Sequence, residues 1–413
     1  MLARWLGLLA LAAVLLGVVG CGGVAVSDVA EATGGELTVY SSEPLQGTSA
    51  ASSQQIVDGE ILALHDAGGR AGPFKINYDS LDDASPTSGE WNPGVTATDA
   101  KVAAQDTSTI AYLGDFDSGA TAISLPFMNE AGILQISPAS PYVGLTSSFE
   151  AGQDEPARFY PNGKRTFVRL QPGDTAEAEA QVQLMRSLGV RTLYVLDDQD
   201  PFQVPLANIV ADYAERAGIT VASHDSLSTV PGAVFTGEVE KITESHAQAV
   251  FLAGGAGKGT ATLWRELHHA DPSLLLLGPS SMDSESFTAE IGAAGAGTYM
   301  TTPVLPNRLY PPSAQRVLSD FRATFGVEGS AYALYGYEAM TVVLDAIRSS
   351  GARGNDRQTV IDRVFATKDR NSVLGRYSVE PDGETTLSQY GVDRVSGGRP
   401  VFLRALTVSQ PAQ

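Results

Sequence analysis

The stretch from Thr109 to Pro141 constrains this chain more than any other part of it. It opens on a short apolar run, Ile110-Ala-Tyr-Leu113, of the length of a buried strand. A tight turn follows, Gly114-Asp-Phe-Asp-Ser-Gly119, and then a segment in which Ala122, Leu125 and Met128 recur at helical spacing. Gly132 stands where a helix C-cap belongs. Ile133-Leu-Gln-Ile136 reads as a second strand, and Ser137-Pro-Ala-Ser-Pro141 leaves it as a loop. Strand, helix and strand in this order predict a βαβ unit, hence parallel strands joined by a right-handed crossover. Both loops then lie at carboxyl ends of strands, where open α/β sheets bind ligands. Ser118 sits at the N-cap position, so free N–H groups of the first helical turn face whatever is bound there. The plain alternative is a simple N-cap.

The same alternation continues on both sides. Leu37 to Tyr40 reads as a first strand, Ser41 to Ser53 as a polar loop, Gln54 to Ala67 as a helix and Phe74 to Tyr78 as a strand. Beyond the central stretch, strands at Leu193–Leu196, Thr220–Ala222, Ala249–Leu252 and Leu274–Leu277 are separated by helical segments. Strands alternating with helices predict α/β architecture with parallel sheets. A length of 413 residues favours two compact lobes over one. Crossings between lobes are expected near Thr166–Leu170, Tyr299–Pro306 and Asn371–Arg376, with a terminal hairpin formed by Tyr377-Ser-Val and Val401–Arg404.

The start of the chain reads separately. Arg4 precedes an apolar run, Leu6 to Val19, too short to span a bilayer but suited to a signal peptide. It ends Val18-Val19-Gly20-Cys21, and Cys21 is the chain's 1 cysteine. Small residues before a lone cysteine point to a lipoprotein cleavage site, with Cys21 lipidated; an ordinary signal peptide is the alternative. Residues 1–20 are thus expected to be removed, and the Gly-rich segment 21–36 to serve as a flexible tether. The formal net charge of −20 argues against nucleic acid or an anionic membrane surface as partner.

A catalytic constellation is not evident. Gly254-Gly-Ala-Gly-Lys-Gly-Thr260 fails as a phosphate loop, because Leu252 stands where its first Gly belongs and Gly259 follows Lys258 where Ser or Thr must bind magnesium. His268 and His269 are adjacent and diverge on a helix, and the cysteine count rules out a zinc site with cysteine ligands. Asp82-Asp83 and Asp197-Asp198 read as solvated loop acids. An enzyme, a metal and a cofactor are all unexpected on these grounds.

The order "strand, Gly-x-x-x-Ser-Gly, helix ending Glu130-Ala-Gly-Ile133, strand, Ile136-Ser-Pro-Ala139" resembles the leucine/isoleucine/valine-binding family of ABC-importer substrate-binding proteins, and the likeness runs from about Leu37 to the C-terminus. The resemblance implies a type I periplasmic-binding-protein fold: two Rossmann-like lobes with parallel sheets, joined by three hinge crossings. It implies lobe one at residues 37–168 and 303–373, lobe two at 169–302 and 374–408, and a loose tail at 409–413. Ser118 and Gly119 would then offer donors to a ligand carboxylate. Ala139, Ser140 and Pro141 form the loop that holds its ammonium and carboxylate ends. Phe202, Ala256 and Ser280 would close over it from lobe two. The run Tyr335-Gly-Tyr-Glu-Ala-Met340 resembles a family signature near the hinge, though its spacing equally suits helix packing.

Three positions depart from the family's pattern. Ser280 stands where an acid is common, Pro141 where Thr would give a hydroxyl and an N–H, and Phe202 where Tyr is usual. A buried ammonium without its partner costs about 2–5 kcal/mol, so these departures favour a carboxylate-bearing, less cationic ligand or a bulkier apolar one. Asp283, Asp115 and Asp117 are the residues able to substitute for the acid. The implied role is a lipid-anchored receptor that captures an amino acid or related carboxylate or amide. It would deliver this solute to an ABC permease, touching the membrane only through its lipid. A sensor of the same fold coupled to a signalling partner is the alternative.

Overall fold

The computed structural model describes residues 31–408 with the exception of Ser88; Cys21, the expected signal peptide and the tail lie outside the described residues. The first lobe begins with β1 (Glu36–Glu43), α1 (Ala50–Asp66), β2 (Arg70–Ala71), β3 (Phe74–Asp82), α2 (Pro93–Gln105), β4 (Thr109–Gly114), α3 (Ser118–Glu130), β5 (Leu134–Ser137) and β6 (Phe167–Arg169). The second contains α4 (Asp174–Ser187), β7 (Thr192–Asp197), α5 (Val204–Arg216), β8 (Thr220–Ser226), α6 (Thr236–Glu244), β9 (Ala249–Ala253), α7 (Lys258–Ala270), β10 (Leu275–Gly278), α8 (Glu285–Ile291) and β11 (Thr298–Thr302). The chain then returns to the first lobe with α9 (Pro312–Phe325), α10 (Ala331–Ser350), α11 (Arg357–Phe365), β12 (Arg370–Asn371) and β13 (Arg376–Tyr377). It ends on the second lobe with β14 (Gln389–Ser396) and β15 (Arg399–Thr407).

The strand orders are β2-β3-β1-β4-β5-β6 and β15-β14-β11-β10-β9-β7-β8. β1, β3, β4, β5 and β6 pair parallel, as do β7 to β11, while β2 and the β14–β15 hairpin add antiparallel edges. In each sheet the order reverses beside the first long strand, between β1 and β4 and between β7 and β9. Reversal opens a crevice at the carboxyl ends there. The fold is the type I periplasmic-binding-protein fold, with two α/β lobes joined by three crossings.

Three expectations are corrected. Thr166–Leu170 is no crossing: Val168 pairs with Ile136, making β6 the edge of the first sheet, and passage to lobe two follows it. Val373, Leu374, Tyr377 and Val379 join the first lobe's core, so the third crossing comes beyond them rather than at Asn371–Arg376. The partner of β15 is Gln389–Ser396 rather than Tyr377. Gly397 and Gly398, at φ +60° and +73°, make the two-residue turn that joins them.

The central unit forms as its pattern demands. β4 is buried along its whole length, and Leu125 and Met128 of α3 are fully buried. Arg357, 1% exposed, donates from α11 to the carbonyls of Thr109 (2.9 Å) and Ala131 (3.1 Å), tying the start of β4 to the end of α3. The run 335–340 lies within α10, and Tyr335, Met340, Leu344 and Ile347 are core side chains. α10 lies against α1 with almost no space between backbones. A Cβ on Gly336 would stand 2.0 Å from the Ile56 carbonyl oxygen, and one on Gly59 2.1 Å from that of Ala333. Gly336→Ala gains about 1 kcal/mol of helix propensity but forces the helices apart, a strain of about 1–3 kcal/mol or more. The variant is expected to unfold at lower denaturant concentration than the parent; an equal or higher midpoint refutes the close approach.

Candidate functional site

The carboxyl edges of the two sheets face a cleft of about 190 Å³. The first lobe lines it with Trp91, Phe116, Asp117, Ser118, Gly119, Ala139, Pro141 and Tyr332. The second contributes Asp200, Phe202, Gln203, Ser280 and Ser281, and Gln171 and Pro303 flank crossings. Two larger hollows, of about 800 and 600 Å³, are each lined by second-lobe residues alone, so hinge closure cannot grip a ligand in them.

Six of the positions expected from the sequence meet here: Ser118, Gly119, Ala139, Pro141, Phe202 and Ser280. Two do not. Ser140 is fully buried, with its hydroxyl shared between Thr121 Oγ1 (2.6 Å) and the Asp115 carbonyl (2.9 Å). Ala256 is exposed on the loop after β9 and is not among the lining residues.

The first turn of α3 is the floor. Asp117 is its N-cap residue, yet its side chain makes no cap hydrogen bond, so the first N–H groups remain open. Ser118 Oγ accepts from the Tyr142 N–H at 3.3 Å. The N–H groups of Ala139 (3.2 Å) and Ser140 (2.9 Å) are both spent on Ser137 Oγ, and Pro141 has none. The loop after β5 is thereby stripped of backbone donors. Rings close the sides. A Cβ on Gly119 would meet Trp91 Cζ2 at 2.6 Å and Phe202 Cε2 at 2.9 Å, so one ring from each lobe presses on this turn. Tyr142 meets the edge of Phe202 with centroids 5.1 Å apart, and Phe116 tilts against Tyr332 at 5.7 Å.

On the second lobe, Ser280 is held from behind. Its N–H (2.6 Å) and hydroxyl (3.0 Å) both donate to Glu177, which also accepts from Thr301 Oγ1 (2.7 Å). An acid therefore stands one layer behind position 280, supplied by α4 and fully occupied. Ser281 Oγ donates to the Gly254 carbonyl (2.7 Å), and Asp198 accepts from the Gly255 N–H (2.9 Å), which fixes the loop after β9.

Sequence reasoning missed the charge beneath the cleft. Ser41–Glu43, expected in a loop, continue β1 and are buried. Glu43, Asp83 and Asp115 lie beside one another at the carboxyl ends of β1, β3 and β4, all fully buried. Neither oxygen of Glu43 has a hydrogen-bond partner. Burial and mutual repulsion push Glu43 and Asp115 well above the usual carboxylate range. Burial, offset in part by the Thr96 hydroxyl, places Asp83 at about 7. Asp117 rises to about 7 through burial, then Asp83, Glu90 and Asp200. Burial likewise raises Glu177 to about 7 and Asp283 to about 7. Lys, Arg and His are absent from the lining residues, whose charged members are Asp117 and Asp200. Among the described residues there is no group of three side chains able to hold a metal ion.

A periplasmic binding protein family matches residues 39–399. The Leu/Ile/Val-binding protein homolog 3 of Brucella melitensis is 24% identical over 381 residues, covering 91% of this chain and 95% of the relative. Among solved structures, a leucine-binding protein of Thermotoga maritima superposes with a TM-score of 0.73 at 19% identity, covering 90% of this chain and 99% of that one. A solute-binding protein of an ABC transporter from R. palustris, in complex with benzoate, gives 0.69 at 17% identity, covering 90% and 97%. These proteins are solute binders rather than enzymes. No helix of the described residues is long and apolar enough to cross a membrane.

The raised acids set the sign of the pH dependence. Glu60 at about 8, with Asp83, Asp117, Glu177 and Asp283 at about 7, holds protons in the folded state that the unfolded chain, near 4, has released. Their contribution is present in full below pH 4 and is lost as pH rises through 7 to 8. The ligand-free protein is therefore expected to melt at a higher temperature at pH 5 than at pH 8. A melting temperature that rises across this interval contradicts the buried-acid assignment.

Proposed function

The chain belongs to the periplasmic binding protein family, and from that premise we propose that it is an extracytoplasmic solute-binding lipoprotein serving an ABC importer. It captures a small solute, an amino acid or a related carboxylate or amide, between its lobes and presents the closed form to the permease. The observation that carries this reading is a cleft lined from both lobes, with Trp91 of one and Phe202 of the other each packed against Gly119. A solute touching both lobes has more contacts when they close, so it shifts the population toward the closed form. The relatives' names support the solute class: one is a Leu/Ile/Val-binding homologue, one structural neighbour binds leucine and another was solved with benzoate. The open N–H groups of α3 suit a carboxylate or amide oxygen. Cys21 supplies the membrane attachment in this reading, with residues 1–20 removed and the segment after Cys21 as a tether that ends before Ala32, which packs into the first lobe's core.

A thermal-shift panel on residues 22–413 tests the capture. A bound solute raises the melting temperature by mass action, and the absence of any shift from amino acids, amides and small carboxylates counts against the proposal. Ser118→Pro probes the helix end. Pro is tolerated at the first helical position, and Asp117 already has the extended ψ of 137° that precedes Pro comfortably. Loss of one charge-assisted hydrogen bond of about 1.5–3 kcal/mol should weaken binding about ten- to a hundredfold while the fold survives. Unchanged affinity removes Ser118 from the site. Cys21→Ser is expected to release the protein from membrane fractions into the soluble one; continued retention refutes the lipid anchor.

A further inference from the structure

We propose that the connection from β5 to β6, residues 138–166, is a clasp. Rooted in the first lobe and reaching round the flank of the second, it biases the hinge toward the closed form, with Tyr142 and Phe149 as its positioning residues. The inference rests on the solute-capture reading above and names what sets the balance of the hinge. Connections longer than about 12–15 residues without helix or strand of their own are uncommon and usually carry a function. This one holds two 3₁₀ turns, Val143–Leu145 and Ala157–Phe159.

Its root is Asn129 of α3. The Asn129 side chain donates to the Lys164 carbonyl (2.8 Å) and Thr166 Oγ1 (2.9 Å) and accepts from the Asn162 N–H (3.0 Å). The Asn162 side chain donates in return to the Asn129 carbonyl. Within the connection, the Tyr160 hydroxyl donates to the Leu145 carbonyl (2.7 Å). The Tyr142 hydroxyl donates to Glu155, which also accepts from the Gly152 N–H (2.9 Å) and pairs with Arg158 (2.8 Å). These bonds tie the connection into one folded body attached to the first lobe.

Its apolar side lies on the other lobe. Leu145, Phe159 and Tyr160 share one buried cluster with Val182, Met185 and Val210. Phe149 stacks on Tyr213, with centroids 6.3 Å apart and planes at 24°. α5 starts beside the cleft, and Tyr213 lies about 13 Å along it from Val204, at about 1.5 Å per residue. The clasp therefore touches the flank as well as the rim. At the rim, the Tyr142 ring meets the edge of Phe202 and its N–H donates to Ser118 Oγ.

Both ring pairs are made in the same arrangement in which Phe202 packs against Gly119. Asn129 and Gly119 belong to one lobe, Phe202 and Tyr213 to the other. A rotation that opens the cleft thus displaces both second-lobe rings together relative to the root. The bonds from the Val143 N–H to Asp174 (2.8 Å) and from Thr146 Oγ1 to Glu384 (2.6 Å) lie beside the crossings and change least. A contact made only in the closed form raises its population, and apparent affinity falls in proportion as that population falls. Aromatic pairs shift such an equilibrium about two- to tenfold each.

Residues 22–413 lack cysteine, so Val102→Cys on α2 and Glu240→Cys on α6, both exposed, can carry spin labels that report the distance between lobes. Without added solute the parent is expected to show a single short distance, Phe149→Ala to add a longer one and Phe149→Trp to restore the parent. In calorimetry with L-leucine, Phe149→Ala and Tyr213→Ala should each weaken affinity about two- to tenfold, and the double variant should be no weaker than the weaker single one. A distance distribution that Phe149→Ala leaves unchanged while the melting temperature falls overturns the clasp, because the connection is then packing alone. A parent already spread over long distances overturns it too. Where the parent binds neither L-leucine nor any member of the thermal-shift panel, solute capture falls, and the distances still decide the clasp.

Discussion

Parallel pairing puts the carboxyl ends of β1, β3, β4, β5 and β6 on one edge of the first sheet and those of β7 to β11 on one edge of the second, and that constraint decides where this molecule can hold anything. The register makes it concrete: Glu43 faces Asp82 across β1 and β3, and Ser42 faces Gly114 across β1 and β4. The loops that follow these strands have nowhere to go but over the same edge. Trp91, Asp117 and Pro141 therefore arrive together from three separate connections. The second sheet repeats the arrangement with Phe202 after β7 and Ser280 after β10. Two such edges brought face to face give a cleft whose walls belong to different lobes, which is what hinge closure requires.

The edge also concentrates charge. Carboxylates at strand ends are ordinary when water reaches them, but β1 is flanked by β3 and β4 on its two sides. Glu43, Asp83 and Asp115 are sealed there; the low dielectric pushes Glu43 and Asp115 well above the usual carboxylate range and brings Asp83 to about 7. Arg169, the fully buried cation near the cleft, does not relieve them: it donates to the carbonyls of Ser140 (2.7 Å) and Tyr142 (2.9 Å) and pairs with Glu384 at 3.1 Å. Its work is to hold the loop after β5 beside the crossing.

Much of this was legible in the sequence. Alternating apolar runs, Gly132 and the turn before Ser118 carry the βαβ unit because each is a local signal with one physical meaning. What was illegible depends on distance. Ser41-Ser-Glu43 looks like loop by composition, and only the strands on either side make it a buried strand end. Glu177 reaches Ser280 across 103 positions, a relation no spacing rule encodes. Trp91 stands in a polar segment after β3; an isolated bridge from Ala84 turns it back to the cleft. The hairpin at Gly397-Gly398 carries a local signal, a two-glycine turn between alternating residues, and it pairs β15 with Gln389–Ser396 instead of Tyr377.

The α3 terminus shows why composition of a site outweighs its most familiar part. A helix N-terminus favours an anion by about 0.3–1 kcal/mol, up to about 2 in buried settings. Two like charges about 4 Å apart repel by about 4 kcal/mol at an effective dielectric of about 20. Asp117 occupies the terminus already, so a ligand carboxylate beside it gains the smaller term and meets the larger. It can enter comfortably only when Asp117 is protonated, whereas an amine enters only when it is ionised. The two classes of solute are thus linked to the same proton with opposite signs, as reciprocity between bound groups requires. A carboxylate would take up a proton on binding and an amine would release one. The charge that the site selects is written in the direction of that proton.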